Sequence, residues 1–308
     1  MLKEKMDAKP ILKWAGGKRQ LLDQFEEKYP AALKQNKIKK YVEPFVGGGA
    51  VFFELASRFN FEEIVLNDIN EELILTYKVV KSNVEQLIKK LKELENKFIP
   101  LDMKGRKEIY YEVRTKFNEE KKHLNYAQLT ENAIDHAGHL IFLNRTCFNG
   151  LYRQNRQGEF NVPIGRYKNP TICDEDNLRA ANILLRKAKL LCDDYKETEE
   201  YIDETTFVYL DPPYRPLNKT SSFTSYSKAD FGEKDQIELA KWFRKLDSKP
   251  EKPFLMLSNS NPKNVNPDDN FFEEHYRGFK IDEVFATRAI NSKASKRGSI
   301  SELVIRNY

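Results

Sequence analysis

Residues 39–70 leave this chain few architectures. Lys39-Lys40-Tyr41-Val42-Glu43-Pro44-Phe45 reads as a strand, Gly47-Gly48-Gly49 as a tight loop and residues 50–58 as a helix. Glu63-Ile64-Val65-Leu66-Asn67-Asp68 reads as a second strand. Asn70 can cap the helix that follows, with Glu71 and Glu72 in the first turn, where the helix dipole favours acids. The segment predicts half of a doubly wound α/β domain.

The rest of the chain divides around that core. From residue 71 to 144 the sequence is charge-rich and helical, with no convincing strand, and its charge runs read as solvated helix faces. Residues 147–168 bring aromatics and turn residues, which predicts a hairpin turning near Gly158. Asp174 opens another helix, and strand–helix alternation resumes at residues 189–194. Asp230 with Glu233 resembles a capping box. Residues 254–259 form a further apolar strand, and 281–286 with 301–306 look antiparallel. The expected organisation is a sheet domain made of residues 1–70 and 171–308, interrupted by an insertion at 71–170.

Composition excludes several classes. The chain has 308 residues, 40% of them hydrophobic, which suits a large α/β domain with an insertion. No apolar run approaches the roughly 20 residues of a membrane span, and the first residues lack a signal-peptide stretch, so a cytoplasmic protein is expected. The three cysteines, Cys147, Cys173 and Cys192, match neither a disulfide framework nor a zinc site. His136 and His139 lie three apart without a Cys or carboxylate cluster, so no metal is expected. A net charge of +5 suits a nucleic-acid partner only if it gathers on one face. A monomer is the default.

The chemistry is read from three places. Thr206-Phe-Val-Tyr-Leu210 is a buried-strand pattern that must stop at Asp211, because two prolines follow. Asp211-Pro212-Pro213-Tyr214 thus places a carboxylate, a fixed carbonyl and an aromatic face at the edge where open α/β sheets bind ligands. Such a group can accept both hydrogens of an exocyclic amine while Tyr214 stacks on its base; a plain Pro-Pro turn would leave the same letters. The glycine loop with Asp68 about 20 residues on outlines a nucleoside site, although Phe52 replaces the third glycine of the dinucleotide fingerprint. Lys13-Trp14-Ala15-Gly16-Gly17-Lys18-Arg19 is not a P-loop; its Trp, glycines and Lys suit a ligand with an aromatic ring and a carboxylate, as in S-adenosylmethionine.

Lys-Trp-Ala-Gly-Gly-Lys, Glu-Pro-Phe-Val-Gly-Gly-Gly-Ala, Asn-Asp-Ile-Asn and Asp-Pro-Pro-Tyr, in this order, resemble the Dam-type (D12 class, group alpha) DNA adenine N6-methyltransferases. The similarity continues through Phe148-Asn149-Gly150-Leu151-Tyr152-Arg153, Gly158-Glu159-Phe160-Asn161, Phe223-Thr224-Ser225-Tyr226 and Glu302-Leu303-Val304-Ile305. It implies a Rossmann-like S-adenosylmethionine-dependent methyltransferase sheet with an inserted helical, hairpin-bearing target-recognition domain. The implied activity is methyl transfer to N6 of adenine in double-stranded DNA, by base flipping and direct attack of the amine.

The resemblance implies catalysis by Asp211, Pro212, Pro213 and Tyr214. It implies cofactor contacts from Trp14, Ala15, Gly16, Lys18, Phe45, Gly47, Gly49, Asp68, Asp194 and Asp211. DNA contacts are expected from Lys13, Arg145, Phe148, Asn149, Leu151, Arg153 and Asn155, and from a basic loop with Arg288, Lys293, Lys296 and Arg297. Arg153 can pair with a guanine in bidentate fashion. Members of the family that read GATC carry matching residues, so GATC is the expected site. A restriction endonuclease would then be a functional, not a physical, partner. Two alternatives remain: an N4-cytosine methyltransferase, which needs the same strand-end arrangement, and a catalytically inactive DNA-binding relative.

Overall fold

A computed structural model of the chain describes residues 8–215, 231–287 and 299–308. Its strands are β1 (Lys40–Glu43), β2 (Glu63–Asn67), β3 (Ala188–Leu191), β4 (Thr206–Leu210), β5 (Phe254–Ser260), β6 (Lys280–Thr287) and β7 (Ser299–Arg306). They form one sheet in the order β3-β2-β1-β4-β5-β7-β6. The strands from β3 to β5 are parallel, and β7 runs antiparallel to both its neighbours. The expected α/β sheet with an antiparallel end is therefore present. From β1 the chain turns outward to β2 and later returns on the other side to β4, so the switch in strand order falls between β1 and β4. A crevice opens there at the carboxyl ends of the strands.

Alternation along the strands divides the core in two. Tyr41, Phe207, Tyr209 and Met256 pack on one face, while Val42, Val208, Leu210, Leu255 and Leu257 pack on the other. β4 is buried along its whole length, which is why it reads as an uninterrupted apolar run. β1 stops at Glu43, shorter than the run suggests, because Pro44 cannot donate to the ladder.

The helices are α1 (Leu22–Glu26), α2 (Ala31–Lys34), α3 (Ala50–Arg58), α4 (Glu71–Ser82), α5 (Val84–Phe98), α6 (Met103–Glu120), α7 (Glu131–Thr146), α8 (Glu175–Leu185), α9 (Glu233–Asp247) and α10 (Phe271–His275). Asn70 caps α4 as expected, its side chain accepting the Leu73 N–H at 3.0 Å. Asp174 caps α8 in the same way. The capping expected of Asp230 and Glu233 differs: α9 is capped at Gly232, whose N–H goes to Asp235 at 2.8 Å, and Asp230 lies outside the described residues. Between β2 and β3 the chain inserts α4 to α8. α4 packs against α7 on one side and against α8 and β3 on the other, so a continuous apolar core joins the inserted helices to the sheet. Among the described residues, no helix is long and apolar enough to cross a membrane.

The hairpin expected near Gly158 is a turn rather than a ladder. Asn155 N–H bonds Glu159 O at 2.9 Å and Asn161 N–H bonds Arg153 O at 3.1 Å, but only isolated bridges form, Gln154 with Phe160 and Cys147 with Ile164. The partners that a second strand would give come from α6. Asn118 bonds both the N–H and the C=O of Phe160, at 2.8 and 3.1 Å, and Lys121 Nζ donates to Gly158 O at 2.8 Å.

Candidate active site

At the carboxyl end of β4 the two prolines release Asp211 from the ladder and direct it into the crevice. Lys18, only 2% exposed, reaches it from the N-terminal loop with Nζ 2.7 Å from Asp211 Oδ1. The same ammonium donates to Gly16 O at 2.9 Å and to the Tyr214 hydroxyl, and lies 4.5 Å from the Tyr214 ring centroid. Tyr214 passes its own hydrogen to Glu302 of β7 at 2.5 Å, and Lys18 Nζ is 3.6 Å from that carboxylate. Ser258 of β5 donates to Asp211 at 3.2 Å, with its hydroxyl 2.8 Å from that of Tyr209. Burial pushes the Asp211 carboxyl above the usual aspartate range, against the opposing pull of Lys18. Burial and the neighbouring carboxylates likewise push the Tyr214 phenol up.

The tetrapeptide backbone is also held. Gln236 of α9 donates to Pro213 O at 2.7 Å and is itself bonded by Asn259 Nδ2 at 3.2 Å. Among the described residues nothing donates to the Pro212 carbonyl. Arg215 closes the segment with ion pairs to Asp269 at 2.6 Å and Glu233 at 3.0 Å.

One strand away, the loop after β1 meets the end of β2. Asp68 accepts the N–H groups of Gly47 at 2.9 Å and Asn70 at 3.0 Å, and Tyr77 of α4 donates to Gly47 O at 2.7 Å. Gly49 has φ +68°, the left-handed turn from which α3 starts at Ala50. Trp14 lies against this loop, so close that a Cβ on Gly47 would stand 3.0 Å from its Cδ1. Phe45 packs with Tyr195 and Phe231 at 5.2 and 5.8 Å between centroids. Asp194 is exposed and bonds the Lys196 N–H at 2.9 Å. Ala15 and Gly16 are exposed at the mouth of the crevice.

These residues fit a nucleoside bearing a charged side chain. Asp68 remains half-exposed, and each carboxylate oxygen keeps a lone pair for a diol. The glycines leave room beside Trp14 that any Cβ would fill. Glu43, at the end of β1, is fully buried and accepts the Tyr41 hydroxyl at 2.7 Å; burial drives its carboxyl well above the usual range.

The residues expected to meet DNA are placed differently from one another. Asn144 exchanges two hydrogen bonds with the Lys13 backbone, at 2.8 and 2.9 Å, and bonds Gly150 O at 3.1 Å. Lys13 is thereby seated beside the 147–167 segment, its Nζ 4.9 Å from the Tyr167 ring centroid. Gly150 is required here, since a Cβ would fall 2.2 Å from Lys13 Cδ. Phe148 is 51% exposed, Asn149 and Arg153 are exposed and Leu151 is half-buried. Arg153 Nε donates to Asn161 Oδ1 at 2.8 Å. Asn155 is occupied in the turn, accepting the N–H groups of Gln157 and Glu159 at 3.0 and 2.9 Å. Arg145 faces inward and donates to Ile11 O at 2.8 Å, and burial lowers its affinity for a proton. Arg288, Lys293, Lys296, Arg297 and residues 223–226 lie outside the described residues.

Four residues of the site were given no role by the sequence. Ser258 and Glu302 reach Asp211–Tyr214 through the sheet order and Gln236 from α9; Glu302 opens a motif of the resemblance, but no local pattern gives any of the three a role. Glu43 did carry a signal: an acid at the end of a strand, directly before Pro44 and the glycine loop.

A β3-β2-β1-β4-β5-β7-β6 sheet with a glycine loop after β1, an acid after β2 and a carboxylate–Pro–Pro–aromatic corner after β4 defines a methyltransferase. The chain belongs to the D12 class N6 adenine-specific DNA methyltransferases, whose family model matches residues 14–290. It is 53% identical over 304 residues to the type II methyltransferase M.MjaIII of Methanocaldococcus jannaschii, covering 98% of this chain and 100% of that one. It is 38% identical to the type II methyltransferase M1.LlaDCHI of Lactococcus lactis subsp. cremoris, covering 99% and 98%. The DNA adenine methylase of Haemophilus influenzae is 35% identical, covering 98% and 95%. The reaction is therefore site-specific methylation of adenine N6 in DNA, and the N4-cytosine reading falls to the adenine specificity of the family.

Proposed function

We propose that the methyl donor is S-adenosylmethionine and that the target is an adenine flipped out of double-stranded DNA. One observation carries this reading: Asp211, Tyr214, Lys18 and Glu302 form a single hydrogen-bonded group at the switch point, one strand from the glycine loop and two from Asp68. Trp14, Gly47, Gly49, Asp68 and Phe45 would hold the nucleoside, with Ala15, Gly16 and Asp194 at its rim. When bound, the donor supplies an electrophilic methyl group on a sulfonium.

The chain's own residues supply the rest. The amine nitrogen of adenine is a weak nucleophile because its lone pair is delocalised into the ring. Asp211 and the Pro212 carbonyl accept its two hydrogens, which localises that pair, while Tyr214 stacks on the ring. As the amine gains positive charge it faces two carboxylates, Asp211 and Glu302, offset by one ammonium, Lys18. Fixed groups of this kind stabilise developing charge without reorganising. Lys18 already occupies Asp211, so the incoming amine shares that carboxylate with it or displaces it.

Flipping costs about a few kcal/mol and presents the base to this pocket. Residues 71–170 form the target-recognition insertion in this reading, and residues 1–70 and 171–308 the catalytic domain. Phe148 fills the gap left by the flipped base, Leu151 touches a thymine methyl and Arg153 reads a guanine. Lys13 reaches the outer guanine, and the basic residues Arg288, Lys293, Lys296 and Arg297 hold phosphates. The motifs shared with the Dam-type pattern support GATC as the site, and the type II methyltransferases among the relatives support a restriction endonuclease as a functional counterpart. We place the enzyme in the cytoplasm, acting as a monomer.

Sequencing DNA from cells that express the protein, with detection of N6-methyladenine, tests donor-independent parts of this reading at once. Methylation at GATC is expected; another motif would overturn the site, and unmodified DNA the activity. Purified protein given labelled S-adenosylmethionine and duplex must transfer the label.

A further inference from the structure

Leu151-Tyr152-Arg153 begins in extended backbone, with Leu151 at φ −73° and ψ 145°. Successive side chains of extended chain point to opposite sides. Arg153 is exposed, whereas Tyr152 points inward and is 2% exposed. The Tyr152 ring stacks on Trp14, with centroids 5.0 Å apart and planes at 23°. Its hydroxyl donates to Glu72 in the first turn of α4 and accepts from Gln154. Glu72 is paired with Lys121 Nζ at 2.5 Å, from the C-terminal cap of α6, the helix that clamps the recognition turn. On its other side Trp14 lies against Gly47 and Gly48.

Packing alone does not require this group. A phenylalanine would fill the space under the turn, while a buried phenol, carboxylate and ammonium are tolerated only when each finds its partner. Their partners fix one ring position, and that ring fixes Trp14.

We propose that Tyr152 is a positioning residue that couples the two ligands of the enzyme, holding Trp14 to the cofactor site from the inner side of the DNA-reading segment. The proposal rests on the reading of Trp14 as a cofactor contact and of residues 148–153 as the DNA reader. DNA that engages Leu151 and Arg153 fixes the residue between them. A nucleoside that fixes Trp14 fixes the same residue from the opposite side. Coupling of this kind is reciprocal, so each ligand tightens the other by the same factor.

The test measures the affinity of S-adenosylhomocysteine, which binds without turnover, by calorimetry with and without a duplex carrying the methylation site. Wild type is compared with Tyr152→Phe, which keeps the stack and loses the hydroxyl bond, and with Tyr152→Leu, which loses both. The duplex is expected to tighten S-adenosylhomocysteine by about tenfold in wild type, by less in Tyr152→Phe and not at all in Tyr152→Leu. Tyr152→Phe alone decides the matter if Tyr152→Leu does not fold. An equal factor in wild type and the variants overturns the proposal, as does a wild type without coupling. Failure of the underlying reading shows separately. The chain has two tryptophans, so in a Trp242→Phe background the emission belongs to Trp14. Unchanged Trp14 emission on binding S-adenosylhomocysteine removes the cofactor reading, and the coupling with it.

Discussion

The end of β4 and the 147–167 segment both leave regular secondary structure, and they are held by opposite means. At Asp211–Tyr214 the side chains are the fixed parts. Lys18, Glu302 and Ser258 bond the Asp211 carboxylate or the Tyr214 hydroxyl; Lys18 and Ser258 are buried and the other three half-buried, at a desolvation cost that one geometry offsets. In the 147–167 segment the backbone is fixed instead. Asn118, Lys121, Arg106 and Tyr110 bond its carbonyls and one N–H, while Phe148, Asn149 and Arg153 remain exposed. Chemistry common to a family needs preorganised functional groups. If residues 148–153 read DNA as proposed, that task suits a fixed backbone carrying replaceable side chains.

The largest test of this division is Asp211→Ala. We expect methyl transfer to fall by about 10³-fold, the scale of removing a preorganised electrostatic group, with duplex binding unchanged. Lys18 keeps its bonds to Gly16 O and Tyr214 and stays near Glu302, so the fold survives. Turnover within tenfold of wild type in a single-turnover assay would break the comparison at its catalytic end.

Asn118→Ala strikes the other end. It leaves the Phe160 N–H and C=O, both in a buried residue, without their partner. The expected loss of stability is about 2–3 kcal/mol, read by denaturant unfolding, with faster amide exchange across residues 155–161. If the recognition segment is held through its backbone, discrimination between sites falls more than single-turnover methylation at the preferred site. Equal losses of both would show that the clamp serves the catalytic end as well.

How far each end was legible follows from the same contrast. The position of Asp211 could be read because an apolar strand must stop where two prolines begin, and Asn70 because a helix start needs an acceptor. Both are local requirements, met within a few residues. The roles of Glu302 and Ser258 could not be read, even though Glu302 opens a motif of the resemblance, because β7 enters the sheet between β5 and β6 and only that order carries Glu302 to Tyr214. The long cations were also illegible: nothing local directs Lys18 onto Asp211 or Arg145 onto Ile11 O. The expected ladder near Gly158 failed for a related reason. Turn residues mark where a chain reverses but not which groups satisfy its backbone, and here α6 took the carbonyls a partner strand would have bonded.

Arg153→Ala tests whether the exposed side chains are replaceable. Among the described residues the Arg153 guanidinium bonds only Asn161, so stability should change little. Discrimination at one base pair should fall by about 1–3 kcal/mol, measured as the ratio of kcat/KM for the preferred duplex and single-base variants. A uniform loss across all duplexes would instead make Arg153 a phosphate contact.

The smallest effect concerns the seating of the clamp helix. Glu120, at the end of α6, faces α7 and accepts from His139 Nδ1 at 2.9 Å, with His136 Nδ1 at 3.4 Å. Burial would raise its carboxyl, but the two histidines overcome that and bring it down to about 2. The unfolded chain would hold a glutamate near the ordinary value of about 4.3. A carboxyl depressed on folding contributes stability above its unfolded value, and that contribution is lost as pH falls through about 2. Glu120→Gln should therefore lower stability by about 1–2 kcal/mol at pH 7, with single-turnover methylation of the preferred duplex unchanged. The gap between the two unfolding midpoints should narrow steadily below about pH 4.3. A gap that stays constant down to pH 3 would mean that the glutamate acts through packing, and a loss of turnover at pH 7 would tie the seat of the clamp to the chemistry at Asp211.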